Sequence, residues 1–134
     1  MAAYSGTPLP KKLGIKPAGR VALLNASPTL LGDDLPPDVK LRNDLRGSKS
    51  FDVIVMLCER RSDLLARFDK AAARLTEAGG LWVGWPKKAS GVPTDLTGAD
   101  VRSFGLDRGL VDNKVCAIDE TWSGLRFVVR VKDR

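Results

Sequence analysis

The run from Phe51 to Trp85 constrains the fold more than any other part of the chain. It opens with Phe51-Asp52-Val53-Ile54-Val55-Met56-Leu57-Cys58, apolar at nearly every position, which is the pattern of a strand covered on both faces. Leu64, Leu65, Phe68, Ala71, Ala72 and Leu75 then recur at helical spacing, with Arg67, Lys70 and Arg74 filling the other face. Ser62 is placed to cap that helix, and Asp63 in its first turn suits the helix dipole. Gly79-Gly80 offers a stop, and Leu81-Trp82-Val83-Gly84-Trp85 follows as a second buried strand ended by Pro86. Two strands joined by a covering helix run in the same direction, because a parallel pair needs a crossover. The stretch predicts a parallel βαβ unit, with Trp82 in the core.

The remainder extends this unit. Thr7 can cap a short helix with Pro8 in its first turn, Leu9 and Leu13 on one stripe and Gly14 at its end. Arg20 to Leu24 reads as a buried strand. The segment Ala26 to Gly32 holds one helical turn at most, and Val39 to Arg42 is a weaker second strand. The connection from Asn43 to Ser50 is too short for a packed crossover helix. The second strand is therefore either parallel with a missing cover, or a hairpin with the strand at Phe51. Lys87 to Thr94 reads as a loop. Thr97 can cap a helix carrying Val101, Phe104 and Leu106, stopped by Gly109. Lys114 to Asp119 and Leu125 to Val131 read as an antiparallel pair joined by a turn at Trp122-Ser123-Gly124. The expected architecture is α/β: a shortened Rossmann-like, mostly parallel sheet with a C-terminal antiparallel hairpin, in a single domain over residues 1–134.

Composition narrows the chemistry. A chain of 134 residues has room for one core. It contains no histidine, which excludes histidine acid–base catalysis and most zinc sites. Cys58 and Cys116 both sit in apolar runs and read as buried free thiols of a reducing compartment, so the expected location is the cytoplasm. No apolar run approaches the roughly 20 residues of a membrane span, and Met1 to Pro10 shows no leader-like apolar core. The net charge of +6 is spread along the chain. With no recognition-helix pattern and no aromatic sheet motif, no specific nucleic-acid partner is expected.

A mostly parallel sheet that closes on one antiparallel hairpin resembles the core of class I methyltransferases. The likeness is best at "FDVIV…LLARF…AARLTEAGGLWVGW", which resembles the fourth strand, helix and fifth strand of that fold, and Leu13 to Val21 resembles the lead-in to its first strand. A further likeness, to a small bacterial family of unknown function, is carried by "LWVGWPKK", the Val92-Pro93-Thr94-Asp95 loop, a helix ending in "GL" and the closing "DETWSGLRFVVR". The methyltransferase resemblance implies S-adenosylmethionine, bound over a glycine-rich turn after the first strand and by a carboxylate closing the second. Here that turn is Asn25-Ala26-Ser27-Pro28, without glycine before Gly32, and Pro28 lacks an amide donor. Asp44 is the residue placed to hold ribose hydroxyls. The cofactor is thus possible by fold, but its glycine turn is absent.

In open α/β sheets, ligands sit beyond the carboxyl ends of the strands. That edge would gather Asn25, Ser27, Glu59, Arg60, Trp85, Lys87, Lys88, Ser90, Asp119, Glu120, Trp122 and Ser123. Lys87 and Lys88 could hold a small polar or anionic ligand with Trp122 as an apolar wall. A solvated loop whose lysines pair with Asp119 or Glu120 accounts for the same residues. No residue is assigned as catalytic or as a metal ligand, since Ser27 has no histidine base and no nucleophile-elbow motif. The expected function is a non-catalytic module for a small ligand or a protein partner on a degenerate methyltransferase-like scaffold. The alternative is a divergent methyltransferase or other small enzyme.

Overall fold

A computed structural model describes residues 7–134; the part of the leader reading that falls on Met1 to Gly6 lies outside the described residues. Six strands form one sheet: β1 (Arg20–Leu24), β2 (Lys40–Arg42), β3 (Phe51–Leu57), β4 (Leu75–Pro86), β5 (Leu110–Ala117) and β6 (Trp122–Val129). Their order is β2-β1-β3-β4-β6-β5. β2, β1, β3 and β4 are parallel, and β6 runs antiparallel to both β4 and β5. The expected βαβ unit is present, with Ile54 beside Leu81 and Val55 beside Trp82. β2 lies parallel to β1 at the sheet edge, so the hairpin alternative is excluded.

Helices α1 (Leu9–Lys12), α2 (Arg61–Ala72) and α3 (Gly98–Asp107) complete the frame. The two faces of the sheet bury separate clusters. α2 and α3 cover Ile54, Met56, Leu81, Val83 and Phe127. Within this layer Phe68 meets Phe104 and Phe127 edge-on, with centroids at 5.3 and 5.6 Å. The other face gathers Val21, Leu23, Val53, Val55, Trp82 and Ile118 under Leu13, Ile15 and Leu31. Its cover is thin: a four-residue helix and the 3-10 turn Pro28–Leu31.

Several local expectations are corrected. The cap of α1 falls on Pro8, without a side-chain bond, rather than on Thr7. α2 starts two residues earlier than a Ser62 cap allows, with its cap at Arg60, because the Asp63 carboxylate accepts from the Glu59 and Arg60 amides at 3.1 and 3.2 Å, while Asp95 accepts from the Arg61 amide at 2.7 Å. Gly79-Gly80 does not stop the helix, which ends at Ala72, and both glycines lie inside β4. Gly79 is required there by close approach, since a Cβ on it would lie 2.9 Å from the Phe51 carbonyl oxygen, and Gly80 leaves room for the Arg126 guanidinium, whose Cζ would lie 2.7 Å from a Cβ. The β5–β6 turn is at Ile118 to Thr121, not at Trp122-Ser123-Gly124, because Asp119 accepts from the Thr121 and Trp122 amides at 2.8 and 2.9 Å and closes the chain earlier. The helix at Gly98 is capped by Thr97 as its sequence predicts. Both cysteines are free; Cys58 is buried, and Cys116 is only half-buried. Among the described residues no helix is long and apolar enough to cross a membrane.

Candidate functional site

The carboxyl ends of β1 and β2 converge on a cleft of about 290 Å³, lined by Leu24, Asn25, Asn43, Asp44, Leu45, Ala66, Arg67 and Lys70. Two strands and one helix build it. Asn25 leaves β1 in the left-handed conformation (φ 58°), which asparagine tolerates, and its Nδ2 donates to the Leu57 carbonyl at 3.0 Å. That bond ties the end of β1 to the end of β3. Asn43 and Asp44 follow β2 directly, and Asp44 is flanked by Arg42 and Arg46 at 3.6 and 3.7 Å. The far side of this loop is pinned by Arg74, which donates to the carbonyls of Leu45 and Lys49. Leu45 in turn packs on the core. From α2, residues one turn apart, Arg67 and Lys70, present two cations to the cleft.

Arg67 gives the cleft its chemical character. Its Nη1 is buried without a hydrogen-bond partner. A buried donor of this kind costs about 1–3 kcal/mol, which an acceptor on a ligand would recover. Arg67 also opposes the upward shift of the Cys58 thiol. Burial, with a smaller push from the Asp63 carboxylate, still raises that thiol to about 12. Cys58 is therefore a protonated core residue, not a nucleophile.

The residues expected at the loop edge do not converge on one site. Ser27 caps the 3-10 turn, accepting from the Thr29 amide at 3.2 Å. Glu59 is exposed, and its carbonyl accepts from the Thr94 hydroxyl. Asp119 is taken up by its own turn. Trp122 packs with the thinly covered face, whereas Trp85 packs with the α2–α3 face, so the sheet separates the two indoles. Ser123 is Trp85's partner in the β4–β6 ladder. The Lys87 amide bonds the Thr121 carbonyl at 2.7 Å. Trp85 and Lys88 do share a second hollow of about 360 Å³, with Pro86, Thr94, Leu96, Thr97 and Gly98. Of the residues expected at the loop edge only Asn25 lines the β1–β2 cleft, together with Asp44, the residue expected to face a ribose. Arg67 and Lys70 fill the polar face of α2 in the sequence pattern; their spacing beside Ala66 is the signal that points to the cleft.

No protein-family model matches the chain, and no curated protein matches its sequence at a significant level. Solved structures do match. An S-adenosylmethionine-dependent methyltransferase from Aquifex aeolicus superposes with a TM-score of 0.59 at 12% identity, over 90% of this chain and 87% of its own. Fibrillarin from Aeropyrum pernix, with natively bound S-adenosylmethionine, gives 0.61 at 12% identity over 94% and 70%. The ribosomal protein L11 methylase of Lactobacillus delbrueckii subsp. bulgaricus gives 0.57 at 13% over 91% and 75%. The fold is the class I methyltransferase Rossmann-like fold.

The residues at the end of β1 do not fit S-adenosylmethionine in the manner that fold implies. The turn carries no glycine, the Asn25 amide group is committed to Leu57, and Pro28 opens a four-residue 3-10 turn where a helix start would offer its amides.

Proposed function

We propose that this chain is a binding module, without methyl transfer, that holds a small polar or anionic ligand in the β1–β2 cleft. The observation that carries the reading is the buried, unpartnered Nη1 of Arg67 in the wall of that cleft. Lys70 adds a second cation, and Asn25 and Asn43 add side-chain amides at the strand ends. Asp44 sets a limit: its carboxylate is already flanked by Arg42 and Arg46, so the free positive charge belongs to α2. The scaffold is that of the methyltransferases. The likeness of the "LWVGWPKK" and "DETWSGLRFVVR" segments to a small bacterial family of unknown function is part of the same proposal and assigns no activity.

A thermal-shift panel of S-adenosylmethionine, S-adenosylhomocysteine, adenosine monophosphate and citrate at constant ionic strength tests this. The expected result is stabilisation by an anionic compound that Arg67→Gln weakens about tenfold, some 1.4 kcal/mol, with Lys87→Ala unchanged. Micromolar binding of S-adenosylmethionine would replace this reading with the divergent methyltransferase, which the structural neighbours support. Absence of any Arg67-dependent binding would remove the cleft as the site.

A further inference from the structure

At the opposite end of the sheet, where β1, β3 and β4 begin, lies a hollow of about 360 Å³ lined by Gly14, Lys16 and Gly19, by Asp52 and Thr76, and by Gly79 and Arg126 among others. Arg126 enters from β6 and lies across Gly80; a Cβ there would stand 2.7 Å from its Cζ and 2.9 Å from its Nη2. The missing side chain at Gly80 thus leaves the guanidinium its space beside the sheet.

Arg126 has two cationic neighbours outside the hollow. Lys114 is its direct cross-strand partner on β5, and like charges directly opposite destabilise a ladder. Burial and the nearby Arg134 both hold the Arg126 pKa below its ordinary value. Among the described residues Arg126 forms none of the ion pairs or side-chain hydrogen bonds that engage Arg42, Arg61, Arg102 and Arg108. The one carboxylate in the hollow, Asp52, accepts from the Arg20 amide at 2.9 Å and lies 3.5 Å from the hydroxyl of Thr76, itself part of the lining, and it forms no ion pair with Arg126. Arg126 and Lys16 are the cations of the lining, and an external anion would give the unpaired guanidinium a partner.

We infer that this hollow is a second ligand site that takes a phosphate group, through the Arg126 guanidinium with Lys16 in the same lining. A planar guanidinium meets a phosphate through two parallel N–H donors, and the glycines of the wall keep side chains out of the approach. The phosphate is either the free ion or the head of a small phosphate ester. The site is separate from the β1–β2 cleft and does not depend on it.

The test is a titration with inorganic phosphate, against chloride at constant ionic strength, followed by the backbone amide shifts of Gly79 and Gly80. The expected result is a saturable shift at both amides that Arg126→Gln abolishes and Arg67→Gln leaves unchanged. A parallel titration with glycerol 1-phosphate separates the sources: tighter binding than phosphate assigns an ester, equal binding the free ion. Should Arg126→Gln fail to fold, Lys16→Gln and Arg134→Gln are each expected to weaken binding several-fold. Shifts that are absent in the unsubstituted protein, or that survive these substitutions, overturn the site.

Discussion

The indole Nε1 of Trp82, in the middle of β4, donates a 3.0 Å hydrogen bond to the carbonyl oxygen of Leu13 at the end of α1. Both residues are fully buried. A four-residue helix does not hold itself, since nucleation costs more than one turn returns. α1 is therefore kept in place by its attachments: this bond, the packing of Leu13 and Ile15, and a 3.0 Å bond from Lys12 Nζ to the Ala117 carbonyl. The bond also gives one of the open carbonyls at the helix end a partner.

Trp82→Phe keeps an aromatic ring in the core and removes the donor. The Leu13 carbonyl then stays buried without that partner, at a cost of about 1–3 kcal/mol. Urea denaturation should show a lower midpoint, and hydrogen exchange at Gly14 and Ile15 should quicken. An unchanged midpoint would mean that apolar packing alone retains α1.

Gly105 lies where α3 presses on the aromatic stack. A Cβ there would stand 2.6 Å from Phe127 Cδ1, and Phe127 is fully buried and stacked edge-on against Phe68. Gly105→Ala is expected to destabilise the protein by about 1–3 kcal/mol through overpacking, despite the better helix propensity of alanine. Ser103→Ala, on the exposed side of the same helix, should stay within about 0.5 kcal/mol. Paired denaturation curves of the two variants check the claim.

Much of the frame is visible in the residues, and the reasons for the misses are specific. β3 and β4 are long apolar runs, and only a buried parallel pair suits them. β2 has three residues with both outer ones exposed, so its hydrophobic pattern carries no direction. Gly79-Gly80 resembles a helix stop because sequence shows the absence of a side chain, but not the Phe51 carbonyl and Arg126 guanidinium that need the space. The site is the less legible part. Trp85 and Trp122 both end strands on the same edge, yet the antiparallel register sets Trp122 opposite Pro86, so the two indoles face opposite sides of the sheet. Arg67 was hidden among the polar positions of α2, because its burial depends on the loop after β2, a contact distant in sequence.

The start of α3 should respond to acid. The Thr97 hydroxyl accepts from the Asp100 amide at 3.2 Å, and Asp100 accepts from the Thr97 amide at 3.1 Å. Hydrogen bonds from Thr97, aided by Arg61 at 3.4 Å, hold the Asp100 carboxyl below its usual 3.8. A carboxylate with a depressed folded value stabilises the protein fully above its unfolded value, and that contribution fades as pH falls through the lower, folded one. Thr97→Ala should raise the Asp100 titration toward 3.8 by nuclear magnetic resonance and make the acid loss of α3 begin at higher pH. An unshifted titration would place the cause outside the cap.

The alkaline limb belongs to Cys58. Its thiol is pushed from 9.0 to about 12 by burial at the end of β3, with Asp63 adding to the shift and Arg67 opposing it. The group is an acid whose neutral form is favoured in the fold. Above pH about 9 the unfolded chain releases this proton while the folded chain keeps it, so stability must fall as pH rises toward the folded value. The slope is at most about 1.4 kcal/mol per pH unit for a single group. Cys58→Ala should flatten that limb, even though losing the buried sulfur lowers stability at neutral pH. A disulfide-exchange reagent at pH 8 should correspondingly label half-buried Cys116 well before Cys58 in the native protein, and both after unfolding. Equal labelling rates in the folded state would show that the end of β3 opens to solvent far more readily than its packing implies.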